Sequence, residues 1–115
     1  MQKYIFAVDF DGTLCRGDNF PCIGKPNKIL IEWIKLRQHR GHKFILWTCR
    51  EGENLQKAVE WCKEQGLIFD AVNENLPELI ELYGNDCRKI GADFYIDDKN
   101  LALFGILGIL PQDFL

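Results

Sequence analysis

Four short apolar runs alternate with stretches of helical periodicity along the chain. The runs are rich in β-branched and aromatic residues, which predicts buried strands. These strands are Lys3–Val8, Lys43–Trp47, Ile68–Val72 and Asp93–Ile96. The intervening periodicity and its proline and glycine boundaries predict three helices. They run from Pro26–Asn27 to about Arg40, from about Glu53 to Gln65, and onward from Pro77. Residues 14–25 are predicted to form a loop, and residues 101–115 fit either a helical turn or an edge strand.

Strands that alternate with helices predict an α/β fold with a parallel sheet covered on both faces. We expect a three-layer, doubly wound, Rossmann-like sheet with strand order 3-2-1-4, and a short fifth strand stays open. The length of 115 residues predicts a single domain, residues 1–115. Only residues 14–25 separate the first strand from the first helix, and the third connection is short as well. We therefore expect no cap domain over the sheet.

Polar residues follow three of the predicted strands at the point where each strand ends. Asp9 follows the first strand, Thr48 the second, and Asp97 with Asp98 the fourth. Ligands of open parallel sheets bind beyond the carboxyl ends of the strands, near the point where the strand order reverses. The sequence therefore predicts that these side chains converge on one crevice.

Asp9 and Asp11 are two residues apart, and an extended strand would direct both to one side. Two carboxylates at that separation repel each other, and a bound cation removes the penalty. Together with Asp97 and Asp98 they form a cluster of hard oxygen ligands, which favours Mg²⁺ over zinc. Gly12 lets the chain turn sharply and lets its N–H approach an anion.

The motif Asp9-Phe10-Asp11-Gly12-Thr13 combines here with an apolar strand that ends in Thr48 and another that ends in Asp97-Asp98. In this order the motifs resemble the haloacid dehalogenase-like hydrolase superfamily, over residues 3 to about 100. The stretch Leu46-Trp47-Thr48-Cys49-Arg50-Glu51-Gly52 is similar to that of small, capless, stand-alone bacterial and phage members.

The resemblance implies a magnesium-dependent phosphatase that acts on phosphate monoesters through an aspartyl-phosphate. It implies that Asp9 is the nucleophile and Asp11 the general acid and base. Thr48 and Gly12 would contact the phosphate. Asp97 would bind Mg²⁺ with Asp9 and the carbonyl of Asp11. Asp98 would bind the ion through water or support its direct ligands.

Members of the superfamily also use a lysine or arginine to hold nucleophile and phosphate together. The spacing of Lys89 before Asp97 is similar to that of several short members. Arg50 and Lys99 directly follow strand ends, whereas Lys89 precedes the fourth strand. Because the length of that strand separates Lys89 from the site, Arg50 and Lys99 are expected to lie nearer to it. Lys89 is the first candidate for this cation, and Arg50 is the second as a phosphate or substrate contact.

Composition limits the class of protein and the cellular compartment that the sequence predicts. The net charge is −3 with acids and bases mixed, so no nucleic-acid surface is expected. An odd number of cysteines, five, without a Cys-x-x-Cys motif fits reduced thiols and a cytoplasmic location. Neither a signal peptide nor a membrane span is expected.

An open site suits a large phosphorylated substrate or closure by a second copy of the chain. Two alternatives to hydrolysis stay open: a phosphotransferase and a non-catalytic phosphate- or partner-binding module on the same fold. A receiver-type signalling domain is disfavoured, because its phosphorylated aspartate would follow the third strand, which here ends at Val72-Asn73.

Overall fold

A computed structural model describes residues 2–99 of the chain. Nine elements follow one another in the described part. The strands are β1 (Ile5–Val8), β2 (Cys15–Arg16), β3 (Lys25–Pro26), β4 (Lys43–Leu46), β5 (Ala71–Val72) and β6 (Phe94–Ile96). The helices are α1 (Lys28–His39), α2 (Gly52–Glu64) and α3 (Pro77–Tyr83).

Four of the strands form one parallel sheet in the order β5-β4-β1-β6. β1 is central, and its Val8 is in register with Leu46 of β4 and with Ile96 of β6. The chain moves outward from β1 through β4 to β5 and then returns to the other side of β1 for β6. The strand order therefore reverses at β1. This small α/β fold, with a four-stranded parallel sheet and three helices, agrees with the class that the sequence predicts.

The helices cover the two faces of the sheet. Alternate strand residues point to opposite faces, and the two faces pack into separate cores. Helices α1 and α2 contribute Ile31, Ile34, Ala58 and Cys62 to the larger core, on the side of Phe6 and Phe44. The smaller core contains Ala7 and Ile45 from the sheet and Leu76 and Leu79 from around α3.

Element boundaries differ from the predicted ones most clearly at β5. The prediction began this strand at Ile68, but Ile68 is 71% exposed and only Ala71–Val72 pair with β4. Asp70 explains the later start, because its carboxylate accepts the N–H of Phe44 at 2.8 Å. A side chain thus satisfies a donor of β4 that a longer β5 would have satisfied through its backbone.

The predicted loop over residues 14–25 contains a short antiparallel hairpin. Arg16 of β2 pairs with Lys25 of β3, and Cys15 pairs with Pro26. Two-residue strands are too short to show an alternating pattern in the sequence. The prediction of a loop over residues 14–25 was therefore wrong at its two ends.

Residues 101–115, for which a helical turn or an edge strand was considered, lie outside the described residues. Within residues 2–99, no helix has both the length and the apolar character needed to span a membrane.

Candidate functional site

Backbone hydrogen bonds continue the parallel ladder past the end of β1. The N–H of Asp9 donates to the carbonyl of Ile96 at 3.0 Å, and the N–H of Trp47 donates to the carbonyl of Val8 at 2.9 Å. Asp9 therefore lies between the residues that follow β4 and those that follow β6. This is the point of the sheet at which strand order reverses and at which ligands of such folds bind.

Three carboxylates meet at this point. Asp9, Asp97 and Asp98 each offer an oxygen, and the three oxygens lie within 4.8 Å of one another. Burial, the charge of Asp97 and, to a smaller extent, that of Asp98 raise the pKa of Asp9 from 3.8 to about 6. An arrangement of this kind can hold one divalent cation, which would relieve the repulsion.

Thr13 and Gly12 connect the two parts of the acidic group, which consists of Asp9 after β1 and of Asp97 and Asp98 after β6. The buried hydroxyl of Thr13 donates to Oδ2 of Asp9 at 3.3 Å and accepts the N–H of Asp98 at 3.2 Å. Gly12 has a φ of 82°, and a Cβ built on it would lie 2.3 Å from Oδ2 of Asp98. Any side chain at position 12 would therefore displace the Asp98 carboxylate.

Asp11 lies apart from this cluster. β1 ends at Val8 and the chain then turns, so the extended strand from which a common side was expected for Asp9 and Asp11 does not reach these residues. The carbonyl of Phe10 accepts the N–H of Leu14 at 2.9 Å in that turn. The Asp11 carboxylate instead accepts two hydrogen bonds from Arg50, Nε to Oδ2 and Nη2 to Oδ1, both 2.8 Å.

Arg50 is buried, with a relative exposure of 2%. Besides the bonds to Asp11, it donates to three backbone carbonyls, at 3.2 Å to Pro21 and at 3.4 Å to Cys22 and Asn54. An arginine has five N–H donors, and all five are used here. We expected Arg50 to contact phosphate, but in this conformation it has no N–H left for a ligand.

Two aromatic rings enclose the Arg50 guanidinium. Its Cζ lies 5.0 Å from the ring centroid of buried Phe10 and 5.0 Å from that of Phe20, which is 60% exposed. Arg50 thus connects three segments: the turn after β1, the tip of the hairpin and the first turn of α2.

Thr48 has its hydroxyl beside the same loop. Its Oγ1 accepts the N–H of Arg50 at 3.1 Å, and the O–H hydrogen remains available for donation. Asn73, which follows β5, braces this segment from the other side. Its Oδ1 accepts the N–H of Thr48 at 2.8 Å, and its Nδ2 donates to the carbonyl of Arg50 at 3.3 Å.

The remaining candidate cations differ in position. Nζ of Lys89 lies 5.8 Å from the ring centroid of Tyr95, and no hydrogen bond or ion pair within residues 2–99 joins Lys89 to the acidic group. Lys99 donates its backbone N–H to Oδ1 of Asp97 at 2.8 Å. Arg16, which the sequence did not single out, donates Nε to the carbonyl of Gly12 at 3.2 Å.

All five cysteines lie in the described part of the chain. All five are free thiols, and Cys15 is buried beside the turn after β1. Burial raises the pKa of the Cys15 thiol, which keeps it protonated and a poor nucleophile.

From the sequence, Asp9, Gly12, Asp97 and Asp98 were predicted to lie in one site. No role was predicted for Thr13, Arg16 or Asn73. The Thr of Asp-x-Asp-Gly-Thr and the polar residue after the third strand were the available signals.

The chain is similar to the conserved protein coded by a locus of Bacteroides thetaiotaomicron, whose structure has been solved. The two sequences are 42% identical, the TM-score is 0.77, and the alignment covers 96% of this chain and 83% of that chain. The chain therefore belongs to the same family as that conserved protein. No family model and no curated protein matches the chain.

Proposed function

We propose that the protein is a magnesium-dependent phosphatase of the haloacid dehalogenase-like type, capless, with Asp9 as nucleophile and a doubly wound, Rossmann-like core. The observation that carries this proposal is the acidic group at the point where the strand order reverses, where Asp9, Asp97 and Asp98 each offer an oxygen within 4.8 Å of one another. Asp11, the second carboxylate of the motif, is held by the fork of Arg50.

Asp9 attacks the phosphorus of a phosphate monoester through a carboxylate oxygen. The P–O bond to the leaving group breaks as the Asp9–phosphorus bond forms, and the leaving oxygen takes a proton from Asp11. In the second step Asp11 accepts a proton from water, whose oxygen attacks the phosphorus and releases inorganic phosphate and Asp9. The covalent intermediate divides one difficult displacement into two easier ones.

The contact with Arg50 bears directly on Asp11 in both steps. Both oxygens of Asp11 accept hydrogen bonds from Arg50, so the carboxylate is held in one orientation. To give a proton to a leaving group, Asp11 must carry that proton on a lone pair that Arg50 leaves free on one of these two oxygens. The fork thus sets the direction from which the leaving group approaches.

The acidic group fits Mg²⁺ by the type and spacing of its donors. Asp9 and Asp97 would be its carboxylate ligands, with the carbonyl of Asp11, and Asp98 would bind directly or through water. Bound there, the ion would neutralise the repulsion among the acids and stabilise charge on the phosphate. Thr48 would donate its hydroxyl to a phosphate oxygen.

Hydrolysis of a panel of phosphate monoesters, measured with Mg²⁺ and with a chelator, tests the proposal. We expect turnover only with the metal, and no turnover by Asp9→Asn. Asp70→Asn is the matched control, because Asp70 is an aspartate at the opposite end of the sheet that contacts β4. Activity without metal, or full activity in Asp9→Asn, would refute the mechanism. Binding of Mg²⁺ and phosphate without any turnover would favour the non-catalytic binding module.

A further inference from the structure

Three cationic residues are brought together by the β2–β3 hairpin and the start of α1. Arg16 and Lys25 are direct partners across the hairpin, and Lys28 is the first residue of α1. All three side chains are exposed. With Gly17, Pro26, Asn27 and Ile29 they line one pocket of about 460 Å³, the cation pocket.

The placement of each of these cations is electrostatically unfavourable in the protein without a bound anion. Like charges directly opposite each other on antiparallel strands repel, which applies to Arg16 and Lys25. A cation in the first turn of a helix lies at the positive end of the helix dipole, which applies to Lys28. No acidic residue in the first turn of α1 offsets that charge.

Within residues 2–99, none of these cations forms an ion pair with a carboxylate. The ion pairs of the described part involve other basic residues, namely Lys35, Lys43 and Arg50. A chain with a net charge of −3 nevertheless concentrates three cations here. Local choices that act against stability are expected at functional sites.

The cation pocket adjoins the acidic group. Arg16 donates to the carbonyl of Gly12, and Gly12 lies against the Asp98 carboxylate. From the pocket wall, Asn27 donates Nδ2 to the carbonyl of Thr13 at 3.0 Å, and Thr13 in turn bonds to Asp9. Hydrogen bonds thus connect the pocket wall to Gly12 and Thr13, the residues that support the acidic group.

We propose that Arg16, Lys25 and Lys28 form a second anion-binding site, which receives an anionic group of the substrate other than the phosphate transferred. The preferred substrates are then small phosphate esters that carry a second phosphate or a carboxylate. The assignment as a substrate subsite rests on the proposed phosphatase function. Binding of an anion at these residues does not depend on it.

Kinetics with spacer-matched substrates test the subsite. Alkanediol bisphosphates from two to six carbons are compared with the corresponding alkyl monophosphates. We expect one spacer length to give a lower KM than its monophosphate. Lys25→Gln/Lys28→Gln should raise KM for that bisphosphate about three- to tenfold, because exposed ion pairs are individually weak. Its kcat, and the kinetics of the monophosphate, should change less than twofold.

A control variant and a salt series separate the pocket from the general charge of the protein. Lys57→Gln/Lys63→Gln removes the same charge from exposed positions of α2 and should leave both substrates unaffected. The preference for the bisphosphate should shrink between 50 and 200 mM salt, because exposed charges are screened. Equal KM values for both substrate types at every spacer, or equal effects of the two double variants, would overturn the subsite.

Direct binding distinguishes a failed subsite from a failed phosphatase. Inorganic phosphate and a bisphosphate are titrated into the isotope-labelled protein, with Mg²⁺, and amide shifts are followed. We expect shifts at Arg16, Gly17, Lys25 and Lys28 that Lys25→Gln/Lys28→Gln abolishes. Such shifts in a protein without turnover would uphold the anion site and refute the phosphatase. Turnover without shifts at these residues would uphold the phosphatase and refute the anion site.

Discussion

Arg50 and Asp11, 39 residues apart in the chain, form a two-point ion pair in which both hydrogen bonds measure 2.8 Å. The side chain of Arg50 is 1% exposed, whereas that of Asp11 is 39% exposed. The arginine is therefore fixed by the protein, whereas the carboxylate keeps access to solvent. Bidentate pairs of this geometry confer orientation as well as energy.

Loss of this pair should affect both stability and catalysis. Arg50→Met leaves Asp11 and three carbonyls without their donors, and we expect the free energy of unfolding to fall by roughly 2–3 kcal/mol. Arg50→Lys keeps the charge and loses the fork, so it should recover part of the stability but little of kcat. Chemical denaturation and kcat on an aryl phosphate measure the two effects.

A double-mutant cycle isolates the pair. Asp11→Ala and Arg50→Met are made singly and together, and their effects on unfolding are compared. We expect coupling of roughly 1 kcal/mol, reduced from the value of a buried pair because Asp11 is partly exposed. Strict additivity would mean that Arg50 stabilises the protein only through its carbonyl contacts.

Gly12 permits the acidic group to close, and Gly12→Ala should open it. The added Cβ would lie 2.3 Å from Oδ2 of Asp98, so that carboxylate must move. We expect Mg²⁺ affinity to fall about tenfold, as is usual when the support of a metal ligand is disturbed. Isothermal titration calorimetry with Mg²⁺ measures the change.

Gly17→Ala is the matched control for backbone strain. Gly17 has a φ of 103° compared with 82° for Gly12, and nothing lies within 4 Å of a Cβ built on it. Both variants strain the backbone, but only Gly12→Ala displaces Asp98. Equal losses of Mg²⁺ affinity in the two variants would contradict the steric explanation.

Asn73 supports Thr48 and Arg50 through its side chain, and its backbone adopts a left-handed φ of 55°. Asn73→Gly keeps this backbone and loses both hydrogen bonds, so we expect kcat/KM to fall about tenfold through misplacement of Thr48. Asn73→Ala should lose the same activity and roughly 1 kcal/mol more stability than Asn73→Gly, because alanine is strained at this φ.

Asn73→Asp distinguishes the two bonds of Asn73. It keeps an acceptor for the N–H of Thr48 and removes the donor to the carbonyl of Arg50. If the position of Thr48 determines the activity, Asn73→Asp should retain most of kcat/KM. Activity as low as that of Asn73→Gly would instead indicate that the Arg50 carbonyl contact is required.

The sequence predicted the parts of the site that depend on strand ends. Asp9, Asp97 and Asp98 follow apolar runs that the pattern identifies as strands, and the expected strand order placed these strands side by side, so their approach could be foreseen. The pairing of Arg50 with Asp11 could not, because it depends on how the turn after β1 and the hairpin tip fold around one guanidinium. Contacts of this kind leave no periodic signal.

The same distinction applies to the fold. Apolar runs and helical periodicity predicted the sheet and its three helices, whereas the hairpin and the late start of β5 were missed. The hairpin strands have two residues each, and β5 is shortened by the Asp70 side chain. A tertiary hydrogen bond and a very short strand each override a pattern that needs several residues to be visible.

The raised pKa of Asp9 predicts an unusual pH dependence of stability in the protein without metal. Burial and the charges of Asp97 and Asp98 raise it from 3.8 to about 6. The folded protein therefore holds a proton on Asp9 between these pH values, where the unfolded chain has released it. For this group the free energy of unfolding rises as pH falls through about 6 towards 3.8, and the penalty is fully present above pH 6.

Thermal unfolding with a chelator, at pH 7.5 and pH 5.5, measures this effect against Asp9→Asn, which removes the titrating group. We expect Asp9→Asn to be more stable than the wild type at pH 7.5, with a smaller difference at pH 5.5. Mg²⁺ should raise the Tm of the wild type more at pH 7.5 than at pH 5.5, because protons compete for Asp9. A wild type that matches Asp9→Asn at both pH values would show that the acidic group carries no such strain.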